Sequence, residues 1–173
     1  YSPEEVISKA ARSGLKAAAI TDHDTMDGIP EALKTGHRLG IEVVPGVEVS
    51  AAFQGEEIHL LGYYPSLDSR LPLFLKLMKQ ERFRRAGKIL HKLNQMGINL
   101  NWDEVVQEAC PAAPGRLHFA RLLLKHKVVT SIEEAFNNFL GEGNSAYSPR
   151  KILPAKKVLS ILHESRAVTV LAH

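Results

Sequence analysis

Residues 15–24 read LKAAAITDHD, a short apolar run followed directly by acidic and imidazole side chains. A continuous apolar run of this length predicts a buried β-strand. A helix is predicted before it, because residues 2–5 (SPEE) combine a serine N-cap, a proline in the first turn and the glutamate of a capping box. The chain is therefore predicted to begin with a helix and a strand over 15–20, and Asp22, His23 and Asp24 follow that strand.

Helices and strands continue to alternate along most of the chain. Further strands are predicted at 41–44, 57–63 and 167–171, and further helices at 28–39 and 154–165. This alternation favours an α/β fold with parallel strands.

Between residues 68 and 150 the pattern changes to helices alone. Four helical segments are predicted there, at 70–96, 102–109, 116–126 and 131–140. A helical block that separates two strands of one α/β unit is typical of an inserted subdomain. We therefore predict three segments: 1–67 and 151–173 form one α/β domain, and 68–150 form the helical insertion.

Composition excludes several classes of protein. The chain has 173 residues, a net charge of +3 and one cysteine, Cys110, so it has no internal disulfide and fits a reducing cytoplasm. No apolar run approaches the roughly 20 residues that span a bilayer. The sequence gives no evidence of an obligate protein partner. The start at Tyr1 and an apolar run that stops at His173 lead us to expect a piece of something longer.

Four side chains of metal-binding type lie at or near the predicted strands: His23, Glu48, His59 and His173. In parallel α/β barrels the carboxyl ends of the strands converge on one face. Imidazoles and a carboxylate gathered there suit zinc, manganese or iron. The direction of His59 stays open, because it lies inside its strand and its side depends on register.

Structural roles are the alternative for each of these residues. A lone histidine after a strand is more often a hydrogen-bonding group than a ligand. Asp22 and Asp24 could cap the helix that begins near Gly28. The coincidence of four candidates near four strands favours a metal site, since the other histidines all lie on predicted helices: His37, His91, His118, His126 and His163.

The order and spacing of four motifs resemble the PHP (polymerase and histidinol phosphatase) family of phosphoesterases. The motifs are Thr21-Asp22-His23-Asp24-Thr25, Pro45-Gly46-Val47-Glu48, His59-Leu60-Leu61-Gly62 and Leu171-Ala172-His173. The resemblance is strongest to the branch with a helical insertion, which includes nucleoside 3',5'-bisphosphate phosphatases and 5'-to-3' exoribonucleases.

This resemblance implies part of a distorted (β/α)7 barrel that holds two or three divalent ions, Mn²⁺, Zn²⁺ or Fe²⁺. Glu48 would bridge two of them, His59 and His173 would complete the shell of the second, and His23 would bind a third ion or the phosphate. Asp22 or Asp24 would orient His23. The implied reaction is phosphoester hydrolysis by a metal-activated water.

Two family motifs, an initial His-x-His pair and a later Asp-x-His, have no counterpart in the sequence. We therefore expect the isolated chain to bind metal poorly and not to turn over. The expected substrates of the intact protein are nucleoside 3',5'-bisphosphates or short RNA hydrolysed from the 5' end. The alternatives are histidinol phosphate or another small phosphomonoester, a proofreading exonuclease domain of a polymerase, and a non-catalytic PHP module.

The insertion supplies basic residues that suit a phosphorylated substrate. Residues 70–92 contain eight Lys or Arg and one acid. These side chains form either a solvated helix face or a positively charged surface that attracts a nucleotide or an RNA end. Arg116, at a predicted helix N-terminus, and Arg150 are candidate phosphate contacts. His118 is open between packing and substrate contact, and we expect Trp102 and Phe119 to lie in the core of the insertion.

Overall fold

The computed structural model describes residues 1–110 and 112–173. The described strands are β1 (Ala17–Ile20), β2 (Glu42–Phe53), β3 (Glu56–Tyr63), β4 (Leu153–Pro154) and β5 (Val168–Ala172). The described α-helices are α1 (Pro3–Arg12), α2 (Ile29–Leu39), α3 (Leu71–Gln95), α4 (Trp102–Ala109), α5 (Arg116–Lys125), α6 (Ile132–Ala135) and α7 (Ala155–Glu164). A π-helix, Phe136–Leu140, follows α6 directly. None of these helices is both long enough and apolar enough to cross a membrane.

The chain divides into two compact units. The first unit comprises residues 1–77 and 152–173 and contains all five strands, and the second comprises residues 78–151. These limits lie near those predicted from the sequence, whose assignment as domains stays a prediction.

The strand directions of the first unit correct the expectation of a parallel sheet. β1 pairs with β2 in parallel and β4 also pairs with β2 in parallel, but β3 is antiparallel to both β2 and β5. The reversal comes from a tight turn, because only Gln54 and Gly55 separate β2 from β3. Both have positive φ angles, 52° and 89°, as a two-residue hairpin of the type I′ class requires. The fold is mixed α/β with β3 as a reversed strand.

The second strand is much longer than predicted. The sequence indicated a strand over 41–44 that ends before Pro45 and Gly46, whereas β2 continues through both residues to Phe53. Pro45 lacks an N–H, but its carbonyl accepts a hydrogen bond from Tyr64 at 2.8 Å. Gly46 is required by close packing, since a Cβ there would lie 2.9 Å from Thr21 Cγ2. Glu48 consequently lies inside a strand and not beyond its end.

The helices of the first unit follow their sequence signals. Ser2 and Glu5 form the predicted capping box of α1, with the Ser2 hydroxyl accepting from the Glu5 amide at 3.2 Å. Gly40 ends α2 with a φ of 69°. The apolar faces of both helices bury a core with β1 and β2, made of Ile7, Ile20, Ile29, Ala32, Ile41 and Val43.

The second unit is helical, and its described segments match the predicted ones closely. Its core includes Phe119, which is completely buried as expected. The expectation for Trp102 is wrong: its side chain is 38% exposed, and its ring lies 6.2 Å from that of Phe83. Trp102 is the first residue of α4, and the apolar stripe of that short helix is carried instead by Val105 and Ala109.

Candidate metal centre

Three side chains of the first unit converge on one point. Each of His23, Glu48 and His59 offers a ligand atom, and these atoms all lie within 4.8 Å of one another. His23 Nε2 lies 3.6 Å from Glu48 Oε2, and His59 Nδ1 lies 3.0 Å from Glu48 Oε1. Glu48 is therefore the central member, with one imidazole near each of its oxygens.

The parallel pairing of β1 and β2 brings His23 to Glu48. Beyond Ile20 the chain stays beside β2, so that His23 and Glu48 form an isolated parallel bridge. The Glu48 amide donates to the Asp22 carbonyl at 3.1 Å, and the Asp24 amide donates to the Glu48 carbonyl at 2.8 Å. Backbone hydrogen bonds thus fix the backbone of both residues side by side.

The hairpin register determines the direction of His59, which the sequence left open. His59 lies opposite Ser50, and Glu48 lies two residues from Ser50 on the same strand. Directly opposed residues of an antiparallel pair share a face, and so do alternate residues of one strand. His59 therefore faces the same side of the sheet as Glu48.

His173 adds a third imidazole beside the three-residue group. β5 pairs with β3 so that Ala172 lies opposite His59, and His173 follows at once. His173 Nε2 lies 3.2 Å from His59 Nδ1, and the two rings meet edge to face at a centroid distance of 5.2 Å. The structure thus brings together all four residues that the sequence nominated as ligands.

The charge arrangement fits a cation. Glu48 Oε1 is buried and has no hydrogen-bond partner, although His59 Nδ1 lies only 3.0 Å away. The distance alone does not make a hydrogen bond, because the ring N–H must also point at the oxygen. A buried carboxylate oxygen without a donor is costly, and a bound cation removes that cost. This donor set of carboxylate and imidazoles is the kind that divalent transition metals take.

The two aspartates that flank His23 lie outside the three-residue group. Asp24 is 2% exposed and adopts a φ of 55°, and its Oδ1 accepts from the Ser50 amide at 3.2 Å. Its carboxylate therefore holds the backbone of β2 at Ser50. Asp22 Oδ2 lies near the start of α2, 3.1 Å from the position that a Cβ on Gly28 would take. The electropositive N-terminus of that helix favours a carboxylate there.

Sequence reasoning missed two residues near the group. Glu57 Oε1 lies 3.5 Å from His59 Nε2, on the side of the ring away from Glu48. Ser50 is 2% exposed, and its hydroxyl has no hydrogen-bond partner among the described residues. The period of two along a strand could have found both, because Glu57 lies two residues before His59 and Ser50 two after Glu48.

The three predicted substrate contacts lie in the second unit. Arg116 packs near two aromatic rings, with its guanidinium carbon 5.7 Å from the ring centroids of both Phe136 and Tyr147. Its Nη1 also donates to the Leu140 carbonyl at 3.5 Å. Arg150 lines an open basic cleft.

His118 has a structural partner. Its Nδ1 accepts a hydrogen bond from the Gly115 amide at 3.0 Å, which caps the N-terminus of α5. Burial lowers the pKa of the His118 imidazole below its ordinary value of 6.5, and the charge of Arg121 lowers the pKa further, while Glu108 opposes the shift. The neutral ring is the form that can accept this hydrogen bond.

We predict that acid weakens this cap. Because the pKa is lowered by folding, the stabilising effect is complete above about pH 6.5 and is lost as the pH falls through the lower folded value. His118→Ala should lose about 1 kcal/mol at neutral pH. His118→Gln keeps a side-chain acceptor at this position and does not titrate. Urea unfolding from pH 8 to pH 5 should therefore show a smaller loss of stability for the glutamine variant than for the parent, and equal losses would contradict the cap.

Comparison with known proteins adds three findings. The PHP domain family matches residues 1–141. A 5'-3' exoribonuclease of Haemophilus influenzae is 30% identical over 173 residues, which cover 99% of this chain and 63% of the relative. A 3',5'-nucleoside bisphosphate phosphatase of Chromobacterium violaceum is 28% identical and is covered over 61% of its length. The chain thus spans somewhat under two thirds of these curated relatives.

A solved structure shares the fold. A crystal structure from Bifidobacterium adolescentis, provisionally assigned as a metal-dependent phosphoesterase, superimposes with a TM-score of 0.88 at 25% identity. The match covers 99% of this chain and 61% of that one.

Proposed function

The chain belongs to the PHP domain family, and from this premise we propose that it is the metal-binding part of a divalent-metal phosphoester hydrolase. The proposed substrates are nucleoside 3',5'-bisphosphates and short RNA attacked from the 5' end. The observation that carries the proposal is the convergence of His23, Glu48 and His59 around a buried carboxylate oxygen that lacks a hydrogen-bond donor. The two curated relatives, an exoribonuclease and a bisphosphate phosphatase, support this substrate class.

We assign the ligands as the sequence predicted. Glu48 presents one oxygen toward His23 and the other toward His59, an arrangement that suits a carboxylate shared by two ions. His59 and His173 would hold one ion together with Glu48, and His23 would contact a further ion or the substrate phosphate. Two or three divalent ions, Mn²⁺, Zn²⁺ or Fe²⁺, would supply an activated water and neutralise charge on the phosphoryl group.

The other side chains have positioning or binding roles in this proposal. Asp24 fixes β2 beside Glu48, and Asp22 or Asp24 orients His23. Arg116, His118 and Arg150 are proposed to contact the substrate. For Arg116, the two flanking rings support a fixed guanidinium plane. For His118, a neutral ring with Nδ1 engaged supports a hydrogen bond to the substrate rather than a charge contact.

The organisation of the protein belongs to the same proposal. We propose 1–67 and 151–173 as the hydrolase barrel and 68–150 as the helical insertion. We also propose a cytoplasmic enzyme without an obligate protein partner. The single cysteine supports the reducing compartment.

Glu57 is expected to tune the metal affinity through His59. A histidine ligand usually donates its second ring N–H to a carboxylate, which holds the ring and raises its basicity. Glu57→Gln keeps the size of the side chain and removes its charge, so the affinity of the complete protein for Mn²⁺ or Co²⁺, measured by titration calorimetry, should fall about tenfold. Glu56→Gln, on the exposed neighbouring residue, should leave affinity unchanged. Equal affinities of the Glu57 variant and the parent would refute this role.

The activity is tested with manganese, by release of inorganic phosphate from the phosphomonoesters and of 5'-mononucleotides from the RNA. Adenosine 3',5'-bisphosphate, a short 5'-phosphorylated RNA and histidinol phosphate are offered separately to the complete protein. We expect turnover of the first two. Turnover of histidinol phosphate alone would support the alternative small-molecule phosphatase. No release from any substrate in a protein that binds manganese would support a non-catalytic module and reject the hydrolase.

A further inference from the structure

A basic cleft lies in the second unit, outside the metal centre. The cleft is open to solvent, and its enclosed space is about 10 Å³, roughly room for one water molecule. Six residues line it: Met78, Glu81, Arg82, Arg85, Arg150 and Lys151. Four of the six carry a positive charge and one carries a negative charge, which is a lining that suits an anion.

The charge of the chain is distributed unevenly between the two units. Residues 78–151 contain twelve Lys and Arg against seven Asp and Glu, a net charge of +5. The rest of the chain contains ten against twelve, a net charge of −2. The positive charge of the chain therefore lies in the second unit. A concentration of positive charge in one unit favours the binding of phosphates there.

Two walls of the cleft are held in place by hydrogen bonds. Arg82 and Arg85 lie on α3, and Arg85 Nε donates to the Ser148 carbonyl at 2.7 Å. Two turns further on, Lys92 Nζ donates to the Tyr147 carbonyl at 2.6 Å. These bonds tie α3 to the segment that leads to Arg150 and Lys151, so the backbones of the two walls are held together before any ligand arrives.

The single acid of the lining is itself held in a positive field. Arg84 donates to the Glu81 carboxylate at 2.7 Å and lowers its pKa, while partial burial opposes the shift. Lys151 and Lys88 lower the pKa of Glu81 further. Glu81 therefore stays ionised at neutral pH and engaged with its neighbours.

We propose that this cleft, formed by Arg82, Arg85, Arg150 and Lys151, binds backbone phosphates of single-stranded RNA. A cluster of several fixed cations suits a polymer that carries one negative charge per nucleotide. Guanidinium groups match phosphate oxygens in a bidentate manner, and arginine predominates in the lining. The choice of RNA rests on the proposed function. Of the two proposed substrates, the inference assigns the polymer, and not the mononucleotide, to this cleft.

The test is RNA binding measured without hydrolysis. Fluorescence anisotropy of a labelled RNA of about ten nucleotides is recorded in EDTA, over a range of salt concentrations, for the parent and for Arg82→Gln/Lys151→Gln. Loss of two phosphate contacts should weaken binding by roughly tenfold at low salt and reduce the slope of log affinity against log salt by about 1.4. Glutamine keeps most of the side-chain length, so thermal unfolding of the variant should match that of the parent.

A matched control removes two positive charges elsewhere in the same unit. Lys125→Gln/Lys127→Gln changes two exposed lysines that do not line the cleft. We expect a small change in affinity from this pair, reflecting only the change in net charge. Unchanged binding by the cleft variant, or equal losses in both pairs, would overturn the proposal. Because EDTA prevents turnover, the result is independent of whether the parent protein hydrolyses any substrate.

Discussion

Glu48→Gln should abolish phosphate release while the protein stays folded. Glutamine has nearly the same shape as glutamate, and the backbone of residue 48 keeps its hydrogen bonds to residues 22 and 24. The substitution removes the negative charge on which two cations would depend, and an amide offers a single acceptor oxygen in its place. A loss of about 4 kcal/mol of charge stabilisation corresponds to a roughly thousandfold lower rate.

The measurement is kcat for adenosine 3',5'-bisphosphate in the complete protein, together with manganese affinity and the far-ultraviolet circular dichroism spectrum. Glu56→Gln, at the start of β3, is the control for removing a carboxylate from the same hairpin. Its activity should equal that of the parent. Turnover within tenfold of the parent in the Glu48 variant would reject the central role of this carboxylate.

Phe119→Ala should unfold the second unit or bring it close to unfolding. The ring is completely buried among the side chains of the helical core, including Leu93, Leu123 and Leu140. Removing a buried phenylalanine ring costs about 3–5 kcal/mol, through lost burial and the cavity that remains. Small domains are stable by only about 5–15 kcal/mol, so this loss is a large share of the total.

Urea unfolding followed by circular dichroism and by Trp102 fluorescence measures this effect. Trp102 belongs to the second unit, so its signal reports on that unit separately from the whole chain. Leu117→Ala provides the control on the same helix, because Leu117 is 44% exposed and should lose no more than about 1 kcal/mol. A similar loss of unfolding free energy in both variants would show that Phe119 does not contribute more to the core than an exposed leucine does.

The helices could be predicted from the sequence because their signals are local. Ser2 with Glu5, and Gly40 after α2, each act on the turn in which they lie. The predicted helical segments of the insertion also match the observed ones, although the last of them ends as a π-helix. There the Asn144 amide donates to the Phe136 and Asn137 carbonyls, which is a contact across a loop that periodicity does not encode.

The strands were harder to predict because their signals are not local. Pro45 and Gly46 indicate a break, but pairing with β1 on one side and β3 on the other carries β2 through them. Gln54-Gly55 is a weaker hairpin signal than Asn-Gly or Asp-Gly, so the reversal of β3 was missed. The proximity of the four candidate ligands was nevertheless predicted, because residue types near strands restrict a candidate site even when strand directions are wrong.

The candidate site could be predicted as a set of residues but not as a geometry. His23, Glu48, His59 and His173 were nominated from residue type and motif order, and all four lie together. The direction of His59 required the register of the hairpin, which no single segment of sequence specifies. Glu57 and Ser50 were missed although each lies two residues from a nominated residue on the same strand, a period that does not depend on the hairpin register.

The hairpin of β2 and β3 also has a consequence for the order in which the proposed ligands come together during folding. Glu48 and His59 are close in sequence and come together when the two-residue turn closes, a microsecond event with a small loss of chain entropy. His173 lies 114 positions from His59, so bringing the two together closes a loop that contains the whole insertion. We therefore expect a nascent hairpin to present half of the ligand set early, and a divalent ion in the refolding buffer to accelerate the slow docking of β5.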